Sequence, residues 1–177
     1  DMLFTIGEQQ SVALMAMALE SSLPKKVDSE KMLKMIIIHD LVEAYATDIP
    51  AFDTMNNAEA KQLKMENEIR AIEKIRDLMG GRTGQLFYDL WFEFEHKATY
   101  EAKVANALDK LEAQIQHNEA DIETWLPIEF EMLFMLDKHT DFEPVLTAFK
   151  NLIVEEGICK LENAGIEVNQ VKPSTYM

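Results

Sequence analysis

Cysteine is all but missing from this sequence. Cys159 is the only one among 177 residues, which excludes an intramolecular disulfide framework and any cysteine-rich zinc site. A single thiol fits a reducing compartment, so a cytoplasmic location is expected. Glycine and proline are also scarce, at six and five residues. Leu, Met, Ala, Glu and Lys are plentiful instead, a balance that favours helix. No apolar run approaches the roughly 18 residues of a membrane-spanning helix, and no secretory leader is evident. Clusters of Lys and Arg are absent, and 17 basic against 32 acidic residues leave a formal net charge of −15. Without such clusters there is nothing to attract a nucleic-acid polymer through its phosphates.

What remains is 47% apolar and 28% charged, the composition of a soluble globular chain. The length suits one domain over residues 1–177 with enough interior for a real core. Hydrophobic spacing predicts an all-α fold of six to seven helices. A short, Met-rich helix over 11–21 reads as adaptable core packing. Pro24 breaks the pattern, and Asp28 or Ser29 caps a second helix running to about Tyr45. Its centre, Leu33 to Val42, is apolar around most of its circumference, as in a buried helix. The segment ATDIPAFDTMNN is a loop. A charged helix over 58–79 ends at Gly80 and Gly81, and others span 84–95 and 100–117. The last of these carries Ala102, Ala105, Leu108, Leu111 and Ile115 on one stripe. Trp125 and Pro127 introduce a sixth helix through Leu136, and Pro144 starts a seventh that ends before Gly165. Strand-like alternation is confined to Ile166–Val171.

His39 and Asp40 interrupt the most hydrophobic stretch of the chain, KMLKMIIIHDLVEAYATD. A charged Asp in a buried helix is costly unless it is paired or bound to a metal. Glu43 follows on the same side of the helix, at i+4 and i+3 from the pair, and Asp48 lies just past the helix end. One imidazole and three carboxylates this close make a divalent-metal site possible. A buried His–Asp hydrogen bond beside an exposed Glu explains the same spacing. Asp109, next to the apolar stripe in ANALDKLEAQ, is a further anomaly; by itself it reads as an ordinary exposed helical Asp.

HDLVEAYATDIP resembles the HD-E-x4-D segment of the HD-domain phosphohydrolases, in their small nucleotidase-like branch. YEAKVANALDKLEAQIQ is similar to the helix that carries the family's last metal-ligand Asp. The spacing of LMAMALESSLPKKVDSEKMLKMIIIHDL fits as well, so the likeness covers most of the chain. The resemblance implies that His39, Asp40 and Asp109 ligate a divalent ion (Mn, Co, Mg, Fe or Zn). It makes Glu43 the catalytic residue that moves a proton or positions the attacking water. Asp48 becomes a second catalytic carboxylate at the substrate. A metal of this kind polarises phosphoryl oxygens and generates the nucleophile from water near neutral pH.

One part of the family pattern is not matched. The family places a His in its first helix, in a motif like A-E-H-S-W, preceded by an Arg that meets phosphate. Ungapped alignment puts Glu8 where that His belongs, and the arginines, Arg70, Arg76 and Arg82, all lie downstream. Either these residues have been lost, and activity with them, or residues are missing between Phe4 and Leu14. The abrupt return of family-like sequence at SVALMAMAL favours the second.

Other groups read as structural. Glu93 and His96 have the Glu-x-x-His spacing of di-iron bundles, which require two copies; His96 is expected at the surface. His117 and Asp121 straddle a helix end and are expected in solvent, and His139 sits in a polar turn. Trp91, Phe92 and Phe94 belong to the core or a dimer surface.

The expectation is a metal-dependent phosphomonoesterase for a small phosphorylated metabolite. The family implies a deoxynucleoside 5′-monophosphate as substrate and a homodimer. The alternatives are a catalytically degenerate HD-fold protein kept for ligand binding or dimerisation, and a purely structural module with Asp109 far from His39 and Asp40.

Overall fold

A computed structural model of the chain describes the backbone of residues 2–46 and 57–172, with side chains from residue 10 onward. Every regular element among the described residues is helical. In chain order these are α1 (Met2–Leu19), α2 (Ser29–Ala46), α3 (Ala58–Met79), α4 (Gly81–Glu95), α5 (Tyr100–Glu119), α6 (Pro127–Met132), α7 (Asp137–Thr140), α8 (Pro144–Asn163) and α9 (Val168–Val171). They fall into two compact units. One runs through Ala105, and the other takes the chain from Asn106 onward together with Ser22–Pro24. The helix α5 is continuous across that boundary.

In the first unit α2 packs against α1, α3 and α4, and α3 packs against α4. Asp28 is the cap of α2: its Oδ1 accepts from the Lys31 amide at 3.0 Å, satisfying one donor of the first turn. Met32, Met35, Ile36, Ile38 and Val42 carry α2 into the core, along with Ile72 of α3 and Trp91 and Phe94 of α4. Side chains of this size contribute about 1.5–3 kcal/mol each when fully buried. Gly80 closes α3 at φ +63°, with its amide donating to the Arg76 carbonyl at 2.9 Å. Four residues on, a Cβ at Gly84 would stand 2.1 Å from that same carbonyl oxygen. No side chain fits there, so glycine sets the tight elbow between α3 and α4.

The second unit is built around α8. Trp125, Leu133, Phe134 and Leu161 form one buried cluster, and Leu111, Leu136 and Ile153 form another.

Several expectations need correction. The first helix is longer than 11–21, and its apolar content does not fill a core. Val12 and Ala16 are buried, but Leu14 and Met17 stay 66% and 62% exposed. Ile37 and Leu41 are likewise exposed on α2, so its circumference is not fully enclosed. The helix expected to run to Leu136 stops at Met132, where the chain turns to put Leu133, Phe134 and Leu136 into the two clusters. The polar turn holding His139 contains the single helical turn α7. Ile166–Val171 contains no strand; its alternation is the apolar side of α9, with Ile166, Val168 and Val171 packed on the Trp125 cluster.

Candidate metal centre

The apolar run of α2 that buries Met35, Ile36, Ile38 and Val42 also carries His39 and Asp40 inside, at 6% and 8% exposure. Asp109 sits on α5 one turn beyond Ala105, half-buried and paired with Lys110 at 2.8 Å. His39, Asp40 and Asp109 each offer one ligand atom, and the three atoms lie within 4.8 Å of one another.

An imidazole with two carboxylates suits a borderline divalent ion and balances its charge. The spread is a few tenths of an ångström wider than two opposed ligands at about 2.2 Å each would give. The chemistry of the donor set fits such an ion.

Around His39 the helices supply three more carboxylates. Its ring stacks on Phe94, with centroids 4.2 Å apart and planes at 26°. Nδ1 lies 3.3 Å from Glu95 Oε1, and Nε2 lies 3.8 Å from Glu43 Oε1. Both are charge contacts to the ring rather than hydrogen bonds. Lys64, from α3, donates to Glu43 Oε1 at 3.2 Å and lies 3.6 Å from Glu68 Oε1. Glu68 is buried at 6% exposure. Burial pushes its carboxyl up to about 7; Lys64 opposes the shift, while Glu95 and Glu43 add to it. A carboxylate this poorly solvated ionises only with compensation nearby.

Of the residues expected at the site, His39, Asp40 and Asp109 come together and Glu43 stands beside His39. Asp48 lies outside the described residues. Sequence reasoning missed Lys64, Glu68 and Glu95. Glu68 had a signal, since it falls on the face of α3 that buries Ala71, Ile72 and Ile75. Glu95 follows directly on buried Phe94.

The competing groups are structural. Glu93 pairs with Lys31 at 2.7 Å and accepts from Thr99 Oγ1, while His96 is the exposed C-cap of α4. Trp91 and Phe94 are core and Phe92 is half-buried. His117 is not in open solvent as expected. It is half-buried beside Trp125, with Nε2 3.4 Å from Glu129, because the turn after α5 folds Trp125 back to donate to the His117 carbonyl at 2.8 Å.

A protein-family model for the HD domain matches residues 10–149, and the chain belongs to the HD-domain family. Among curated relatives, 5′-deoxynucleotidase HDDC2 of Xenopus laevis is 32% identical over 105 residues, covering 59% of this chain and 49% of the relative. The protein of the same name from Dictyostelium discoideum is 35% identical over 92 residues, covering 52% and 46%. The chain thus spans about half the length of the relatives it matches. A crystal structure of a predicted metal-dependent phosphohydrolase from Magnetospirillum magnetotacticum MS-1 superposes with a TM-score of 0.69 at 24% identity, covering 88% of this chain and 79% of that one. It supports the fold.

Proposed function

We propose that this chain is a divalent-metal-dependent phosphohydrolase, a phosphomonoesterase for deoxynucleoside 5′-monophosphates. One observation carries the reading: His39, Asp40 and Asp109 converge within 4.8 Å, with Glu43 next to His39. The nucleotide follows from the names of the HDDC2 relatives.

His39, Asp40 and Asp109 would hold the ion. When bound, such an ion supplies electrophilic stabilisation of phosphoryl oxygens and makes water acidic enough to ionise near neutral pH. Glu43 takes a proton from the attacking water and returns one to the departing 5′-oxygen, so that phosphate and the nucleoside leave with charge and protons balanced. Phe94 and the buried face of α2 keep bulk water from the ring of His39, which strengthens each of these electrostatic contacts.

The test couples metal content to phosphate release. Full-length protein with Mn²⁺, Co²⁺ or Mg²⁺ is expected to release phosphate from deoxynucleoside 5′-monophosphates, and Asp109→Ala is expected to lose both metal and turnover. Bound metal with no release from any nucleotide would sink the reading. It would favour the second one, a degenerate HD protein kept for ligand binding, whose motivation is that no His precedes His39 and no Arg precedes Arg70. A homodimer is part of the proposal, and sedimentation as a monomer at micromolar concentration would remove it.

A further inference from the structure

Glu43 is held in an asymmetric way. Both contacts it makes among the described residues fall on one oxygen, Oε1: the 3.2 Å hydrogen bond from Lys64 Nζ and the 3.8 Å approach of His39 Nε2. Oε2 has none among them. Lys64 is itself gripped from behind, because Glu68, one turn further along α3, lies 3.6 Å from the same ammonium. The Glu68 side chain is 8% exposed against 24% for Lys64, so the anchor is the buried member and Lys64 reaches outward from it. A flexible four-carbon stem becomes a short strut between two carboxylates. Three glutamates, from α2, α3 and α4, surround His39 and Lys64 here. Without the cation, Glu43 would swing away from Glu68 and Glu95 toward solvent, since like charges in a partly buried site repel.

We infer that Lys64 is a positioning residue for Glu43: it pins Oε1 and so presents Oε2 to the reacting water, with Glu68 as its buried anchor. The inference rests on the proposed role of Glu43 in proton transfer and adds the residue that sets its geometry. General-base efficiency depends on the base staying within hydrogen-bond reach of the proton it removes, and a displacement of about 1 Å costs on the order of 100-fold.

The experiment is a kinetic cycle on the metal-loaded full chain with Lys64→Met, Lys64→Arg, Glu43→Gln and the Lys64→Met/Glu43→Gln double variant. Mn²⁺ affinity is measured by calorimetry and folding by thermal melts. Lys64→Met is expected to lower kcat by roughly 10- to 100-fold, with KM and Mn²⁺ affinity within about threefold. Lys64→Arg should recover part of the loss, and does so only if the charge at this point matters. In the Glu43→Gln background, Lys64→Met should add nothing, because effects through a shared group are non-additive. A further loss there would mean that Lys64 acts on its own, as would a rise in KM with kcat unchanged; either overturns the inference. Full activity of Lys64→Met overturns it as well. If Lys64→Met fails to fold, Lys64→Arg decides: its deficit must disappear in the Glu43→Gln background. Wild-type protein that binds Mn²⁺ but turns over nothing defeats the parent reading and the inference with it. An active wild type beside an unaffected Lys64→Met defeats the inference alone.

Discussion

Two groups of buried polar side chains, the carboxylates around His39 and the amides at the end of α5, meet the cost of burial in different ways. Asn118 uses every direction its amide offers. Nδ2 donates to the Ile153 carbonyl at 2.8 Å and to Glu156 Oε2 at 3.2 Å, Oδ1 accepts from Gln114 at 3.0 Å, and Lys160 donates to the Asn118 carbonyl at 2.8 Å. A buried network with every member satisfied fixes the register of α5 against α8. Around His39, by contrast, Glu43 and Glu68 both draw on Lys64, and Glu95 faces the imidazole. Asp40 and Asp109 add two more carboxylates. Polar groups that satisfy one another serve architecture. Carboxylates gathered around one imidazole repel one another, and a bound cation would relieve that repulsion.

The largest effect should come from breaking that contrast on the acidic side. Saturating Mn²⁺ at about 100 times its dissociation constant adds roughly 2.7 kcal/mol to a protein that binds it only when folded. In a chain of this size that raises the melting temperature by some 5–10 °C. Asp109→Ala should abolish the rise and lower kcat/KM by about a thousandfold or more. Asn118→Ala should melt earlier yet keep the full metal-induced shift. A metal-induced shift that persists in Asp109→Ala would place the cation elsewhere.

Next in size is the pH dependence set by Glu68. Its folded value, about 7, is above the ordinary value of 4.5, so the folded protein holds the proton more tightly than the unfolded chain. The protonated group therefore contributes stability that is complete below about 4.5 and is lost as pH rises through 7. The difference corresponds to about 3 kcal/mol. Glu68→Gln, which stays neutral, should gain stability relative to wild type between pH 5 and 8 when both are metal-free in EDTA. Parallel stability curves for the two proteins across that range would show that Glu68 is better compensated than its surroundings suggest.

The two regions were also unequally legible in the sequence. His39 and Asp40 stand out because charge interrupts an apolar run, and the buried face of α2 delivers them together. Asp109 required the family resemblance, since one carboxylate beside an apolar stripe is common on helices. Lys64 and Glu68 were hidden by the charged composition of α3, where only register separates a buried glutamate from a solvated one. The helical class was readable throughout. The break after Met132 was not, because no Gly or Pro marks it and the tertiary clusters that claim Leu133, Phe134 and Leu136 lie far off in sequence. The exposure of Leu14 and Met17 was equally hidden, since hydropathy reports how apolar a helix is and not which neighbour covers it.

On the amide side, Asn118→Ala should cost about 2 kcal/mol, because it strands the buried Gln114 amide N–H and removes the hydrogen bonds of Nδ2; urea melts would measure it, and turnover should not change.

The smallest effect tests how tightly that network is packed. Gly157 of α8 is buried where an added Cβ would meet Leu133 Cδ1 at 2.6 Å and Asn118 Oδ1 at 3.0 Å. Alanine gains about 1 kcal/mol in helix propensity over glycine, whereas overpacking costs about 1–3 kcal/mol. The leucine methyl can give way. The amide oxygen cannot, because Gln114 donates to it while Nδ2 of the same amide is tied to the Ile153 carbonyl. Gly157→Ala should therefore be destabilising by about 1 kcal/mol in urea melts, with metal affinity unchanged. In the Asn118→Ala background the amide is gone and only the movable methyl opposes the new Cβ, so the same substitution should become neutral or stabilising. If its cost is identical in both backgrounds, the restraint lies in Leu133, and the amide network is looser than its hydrogen bonds imply.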